Sequence, residues 1–329
     1  MSDDPSPKRF NPWSLLNTFG PLLGLVFVVG LFMCSSEVRP VFLTGGNVKN
    51  ILTQTVIVAT GALGMTMIIV SGGIDLSVGS VVALTGVIAA KLLLAGFPPA
   101  VVFVLTLLAG SLVGLINGAI IAGFRMMPFI VTLGMMGMAR GAAKWLSDKQ
   151  IVAVPETPIS QLMDTSAAPM DLFPLPPGVW LTMALALVMA VVLRQTVFGR
   201  YVFAIGSNEA TARLCGIRVQ WQKLLIYSLA GLFVGLAGLL QFARLNVGDP
   251  TAAAGLELDI IAAVVIGGAS LNGGAGSIAG SMIGALIMAV LKNGTQQMGW
   301  ETYVQEIIIG IVIILAVGLD KLRQSRAKA

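Results

Sequence analysis

The sequence predicts an all-α integral membrane protein with about ten transmembrane helices, and three observations carry that prediction. Of the 329 residues, 56% are hydrophobic and only 11% are charged, with a mean hydropathy of +0.92; soluble domains carry about a quarter charged residues. Ten apolar segments recur along the chain, each near the ~20 residues that a bilayer requires. The positive charges between those segments gather on one side of the resulting topology. The net charge of +5 therefore reads as anchoring of loop ends, and the partners it implies are membrane lipids rather than nucleic acid.

In chain order, the N-terminal MSDDPSPKRFNPW is polar, and residues 1–14 form a cytoplasmic tail. The apolar run from Leu15 to Met33 is too long for a signal-peptide core and has no small-x-small cleavage site. Met33 before Cys34 also argues against lipoprotein cleavage, so the run is a retained first span. The segments are 15–34, 48–70, 77–95, 99–123, 127–146, 178–194, 222–243, 257–271, 276–293 and 303–320. The eighth is short and has Asp259 near its start. Together they make one transmembrane domain, 15–320, followed by a cytoplasmic tail, 321–329.

With the N-terminus inside, the cytoplasmic side holds Lys8, Arg9, Arg125, Arg194, Arg200, Arg213, Arg218, Lys223, Lys321, Arg323, Arg326 and Lys328, most of the 20 Lys and Arg. Ten spans return the C-terminus to the same side. The other side receives the 147–177 loop, which holds Glu156, Asp164 and Asp171 and no basic residue from Gln150 onward. Its six prolines (155, 158, 169, 174, 176 and 177) suit an ordered loop that can meet a soluble partner, or a spacer between two halves.

Several functions are excluded. The chain has no His, the commonest acid–base group and metal ligand. It has no GxxxxGK[ST] loop, hence no P-loop of its own for ATP, and no Ser/His/Asp or Cys/His set for nucleophilic catalysis. Cys34 and Cys215 are placed on opposite sides of the membrane, so they form neither a disulfide nor a metal pair. The acids that could relay protons, Asp75, Asp259 and Glu306, lie near segment ends. Since a charge at mid-bilayer costs at least ~2.5–3.5 kcal/mol, nearly uncharged spans point to an energy source outside the chain.

Three stretches carry the rest. In residues 194–223, five basic residues face the single acid Glu209. There Ser207 or Asn208 can cap a short helix, Glu209 suits its positive N-terminal end, and Gly216 can close it in a left-handed conformation. Glu209 and Arg213, four apart, share a face and can pair with each other or with a partner. In SGGIDLSVGS (71–80), two glycines break the second span before Asp75 or Ser77 can cap the third. GGASLNGGAG (267–276) repeats that punctuation between the eighth and ninth. Glycines at small-xxx-small spacing, among them Gly110, Gly114 and Gly118, then Gly231, Gly235 and Gly238, then Gly276, Gly280 and Gly284, suit close helix packing in lipid.

Taken together, SGGIDLSVGS, FGRYVFAIGSNEATARLCGIRV and LELDIIAAVVIGGASLNGGAGS resemble, in the same order and over nearly the whole chain, the ribose-type permease subunits of bacterial ABC sugar importers. The resemblance implies the type II importer architecture in the inner membrane. It also implies a second permease copy (identical or a paralogue), a cytoplasmic ATPase subunit that binds the ATP, and a periplasmic sugar-binding protein. The chain itself then needs no cofactor. The short helix matches the coupling helix that docks on the ATPase, with Asn208, Glu209, Ala210, Arg213 and Gly216 at the motif positions in the 195–221 loop.

The path is expected among polar residues inside spans. Gln54, Thr66, Asp75, Ser77 and Asn117 are the candidates for a pathway or gate; an unpartnered amide such as Asn117 is costly in lipid. Lys91, Arg140, Lys144 and Arg244 are expected to snorkel from span ends. A secondary transporter or channel acting alone is the rival class, disfavoured by the scarcity of intramembrane acids. An importer for a nucleoside or amino acid is a second rival, one that the sequence does not separate.

Overall fold

The computed structural model describes residues 12–165 and 175–327. Lys8, Arg9, Pro169, Asp171, Pro174 and Lys328 lie outside the described residues. Helices dominate: α1 Pro12–Met33, α2 Arg39–Phe42, α3 Gly45–Val70, α4 Val78–Leu94, α5 Pro99–Phe124, α6 Pro128–Leu146, α7 Pro177–Gln195, α8 Val197–Ser207, α9 Glu209–Leu214, α10 Val219–Leu245, α11 Leu256–Ile266, α12 Ile278–Gln297 and α13 Thr302–Ala327. Local chemistry sets the starts. Proline occupies the first turn of α5, α6 and α7, where its missing N–H is not needed. Thr44, Thr196, Asn208 and Ser277 accept side-chain caps at α3, α8, α9 and α12.

Helices cover all ten expected segments, but not all as expected. By length and composition α3, α5, α7, α10 and α12 are each able to cross a membrane. The eighth segment is corrected most. α11 has 11 residues, about 16 Å at 1.5 Å per residue, roughly half of a ~30 Å hydrocarbon core. Gly255, left-handed at φ 79°, starts it, and Gly267 ends it. The approach to it, residues 249–255, is irregular backbone, tolerated at membrane depth only where protein or a cavity surrounds it.

α3 is almost wholly buried, and α10 packs on α5, α3 and α4 while α12 packs on α3 and α11. The glycine faces serve this packing: a Cβ at Gly114 would strike the Tyr227 carbonyl, and one at Gly231 the Gly110 carbonyl. The backbones of α5 and α10 thus touch, and the remaining face of α5 turns Val104, Leu108 and Leu112 outward.

The two ends of the bundle differ. One gathers the 71–76 turn, Arg125, the 194–223 stretch and the 267–277 turn; it is the basic end. At the other, the loop end, β1 (Val152–Ala153) pairs antiparallel with β2 (Val247–Gly248). Lys91 sits 3.8 Å from Asp148 there, and Lys49 donates to the Thr165 carbonyl. Arg140 does not snorkel. Its guanidinium donates to the Pro250 and Ala252 carbonyls at 2.9 and 2.7 Å, which satisfies the irregular segment that leads into α11.

Candidate functional site

Residues 195–221 hold two helices rather than a loop with one. Thr196 accepts from the Gly199 N–H at 3.2 Å and starts α8 directly after α7. Gly199, Val202 and Ile205, three apart, form its buried face. Within this amphipathic helix Arg200 is the single charge. At its end Asn208 adopts an extended conformation, and its Oδ1 accepts from the Thr211 N–H at 2.9 Å. Of the two candidate caps Asn208 is therefore the one used, while Ser207 closes α8.

Gly216, at φ 83°, ends the turn after α9. Its N–H donates to the Arg213 carbonyl and the Ile217 N–H to the Ala212 carbonyl, at 3.0 and 3.1 Å, the pair of reversed bonds that a left-handed residue allows. Glu209 accepts from Arg213 at 2.5 Å and also from Lys223 at 2.7 Å. The second bond ties α9 to the first turn of α10. Burial pushes the Glu209 carboxyl up, but hydrogen bonds and charge from Lys223 and Arg213 outweigh it and hold the group below the usual carboxylate range.

Ile205, Ala212 and Val219 pack together beneath α9. Its other face presents Ala210, Thr211, Leu214 and Cys215, with Leu214 89% exposed. Leu214 is thus a bare aliphatic side chain on a helix fixed by a cap, a reversed turn and two ion pairs. The sequence offered only a faint signal for it, one leucine in a basic run.

The two glycine turns read separately in the sequence meet here. The Gly274 N–H donates to the Val70 carbonyl at 2.8 Å, joining the α11–α12 turn to the end of α3. Gly206 of α8 lies against both: a Cβ there would overlap the Val70 carbonyl and stand 2.6 Å from the Gly274 nitrogen. Gly273 completes the contact, with φ 84° and a position in which a Cβ would fall 2.7 Å from the Gly206 carbonyl oxygen. The backbones of α8, α3 and the α11–α12 turn therefore touch with no side chain between them. A cleft of about 320 Å³, lined by Gly72, Gly73, Arg125, Glu209, Arg213 and Lys223, separates α9 from the ends of α3 and α5.

Asp75, Ser77 and Asn117 form one buried cluster. Asp75 accepts from the Ser77 N–H at 2.8 Å and from its hydroxyl at 2.6 Å, and Asn117 Nδ2 donates to the Ser77 hydroxyl at 3.2 Å. This joins the start of α4 to α5. Ser77 makes no side-chain cap of its own; Asp75 makes the turn. Asp75 lies in the break between α3 and α4, near a segment end as expected, and is buried there. The Thr66 hydroxyl contacts the Ser281 hydroxyl at 2.7 Å and links α3 to α12. Gln54 lies apart, toward the loop end of α3, on the wall of a cavity.

The interior also holds an ion pair that the expectation of nearly uncharged spans did not include. Lys292 of α12 pairs with Asp259, whose side chain is 7% exposed.

Comparison with known proteins gives a consistent picture. The family model described as branched-chain amino acid transport system / permease component matches residues 47–317. The ribose import permease protein RbsC of Escherichia coli (strain K12) is 41% identical over 300 residues, 91% of this chain and 93% of that protein. The L-arabinose ABC transporter permease protein AraH of Azospirillum brasilense is 35% identical over 325 residues, 99% and 94% of the two chains. The D-allose transport system permease protein AlsC of E. coli (strain K12) is 33% identical over 322 residues, 98% and 97%. No solved structure matches the chain at a significant level.

Proposed function

The chain belongs to the family of branched-chain amino acid transport system permease components, and from that premise we propose that it is the membrane-spanning subunit of an ATP-driven monosaccharide importer. Relatives that cover more than nine-tenths of the chain are permeases for ribose, L-arabinose and D-allose. These whole-length likenesses favour a sugar over the amino acid in the family's description. The proposed setting is the bacterial inner membrane, with both termini cytoplasmic and the basic end inside. Working partners are a cytoplasmic ATPase, a periplasmic sugar-binding protein and a second permease copy. The chain holds no cofactor; ATP is bound by the ATPase.

The observation that carries the coupling role is the seating of α8 and α9. Leu214 offers an apolar anchor to the ATPase, in the way that a few exposed anchors dominate protein interfaces. A push on α9 passes through Gly206 to the ends of α3, α11 and α12 without side-chain slack. The 147–177 loop, at the loop end, is the face offered to the binding protein.

Purified chain in liposomes tests the reading. Alone, it should accumulate no ribose, arabinose or allose; with ATPase, loaded binding protein and ATP it should. Accumulation of sugar by the isolated chain would overturn the assignment in favour of a stand-alone carrier.

A further inference from the structure

A cavity of about 280 Å³ lies toward the loop end, between α3, α10, α11 and α12, at the low end of the ~300–1,000 Å³ of small-ligand sites. Six of its lining residues are polar: Gln54, Gln241, Arg244, Asp259, Lys292 and Gln296. Among the described residues, the side chains of Gln54, Gln241, Arg244 and Gln296 make no hydrogen bond or ion pair within the protein. Asp259 and Lys292 neutralise each other across the floor. Arg244, which the sequence suggests would snorkel, stands between this cavity and a second of about 440 Å³ at the 156–165 loop. The two chambers therefore share a wall at the loop end.

We propose that this cavity is the station at which the imported molecule rests within the permease, and that it takes a neutral polyol the size of one monosaccharide. The proposal rests on the reading of the chain as a sugar-importer permease. Each carboxamide both donates and accepts, as a ring of hydroxyl groups requires, and three of them converge from three helices. A free amino acid would need a fixed cation and a fixed anion. Arg244 supplies a cation, but Asp259, the one carboxylate among the described lining residues, is already bonded to Lys292, so an ammonium group would meet no free acid. A nucleoside base would need a stacking face, and no aromatic side chain lines the cavity among the described residues. Of these helices α3, α11 and α12 run to the glycine junction at the basic end, so the same three bodies carry both the push and the cargo.

Two measurements test this. In cells that import sugar through this chain, Gln54→Leu and Gln296→Leu should each lower uptake about five- to tenfold at equal membrane levels, the scale of one lost hydrogen bond. Uptake within about twofold of wild type for both variants overturns the site and leaves the importer reading intact. Wild-type chain that carries an amino acid and no sugar overturns both. The second measurement requires no folding of a leucine variant. With exposed Cys34 and Cys215 replaced by serine, Gln296→Cys should react with a membrane-impermeant thiol reagent added outside, and more slowly during sugar transport. A cysteine at position 296 that stays unreactive, or is modified at a rate sugar does not change, overturns the site.

Discussion

Where Gly206 meets Val70 and Gly274 the backbones touch and a hydrogen bond closes the contact. Around Gln54 and Gln296, at the far ends of α3 and α12, polar side chains instead face open space without partners. The same helices are thus clamped at one end and left unsatisfied at the other. A force has to be transmitted through close-packed groups, which do not deform continuously. A transient ligand has to be met by groups whose hydrogen bonds are still available, since tight internal pairing would leave nothing to exchange. In the proposed importer the clamp faces the ATPase and the open end faces the delivered sugar.

The largest effect that could break this comparison is at the clamp. Gly206→Ala puts a methyl group into two backbones; we expect a loss of about 1–3 kcal/mol from overpacking and no measurable uptake, checked by thermal unfolding in detergent and sugar accumulation. Wild-type uptake by that variant would show the junction to be slack. Leu214→Asp should leave stability within about 0.5 kcal/mol, because the side chain touches little. It should nevertheless lower uptake by about tenfold or more and release the ATPase during co-purification, as loss of an interface anchor does.

Glu209→Gln comes third, with a few-fold fall in uptake, because it loosens α9 from Lys223 while the cap and the left-handed turn remain. The same carboxyl fixes a pH dependence. Its folded value is depressed, so its stabilisation is present above the ordinary value of about 4.3 and is lost only as pH falls through the lower folded one. Uptake should therefore show no Glu209-dependent step between about pH 5 and 8, measured against the Gln variant. Smallest is Lys91→Ala at the loop end. Its 3.8 Å partner Asp148 is largely exposed, and we expect a change within about 0.5 kcal/mol, read by the same unfolding assay.

Much of the clamp is legible residue by residue. Asn208, Glu209, Arg213 and Gly216 sit at spacings that fix a capped and closed turn, and both glycine turns stand out as breaks between apolar runs. That they touch each other and Gly206 is not legible, because the contact joins backbone groups some 130 and 200 residues apart. α8 holds a single charge, Arg200, and its apolar residues recur at helical spacing, so the helix is legible once the 195–221 stretch is not taken for a loop. The cavity is almost invisible: Gln54 can be singled out, but Gln241, Gln296, Asp259 and Lys292 converge only once α11 is shortened and seated against α12. Arg140 and Arg244 mislead for a related reason. A cation near a span end reads as reaching for water, whereas here one holds irregular backbone and the other lines a cavity.

The central claim, that nucleotide state at the basic end moves the helices bearing the cavity through Gly206, has one direct test. In the chain assembled with its ATPase, the rate of thiol modification at Gln296→Cys should change when ATP is replaced by ADP. That response should vanish in the same background carrying Gly206→Ala, with the complex still intact. A nucleotide response that persists in the Gly206→Ala background, or a rate at 296 that ignores the nucleotide altogether, would contradict the account.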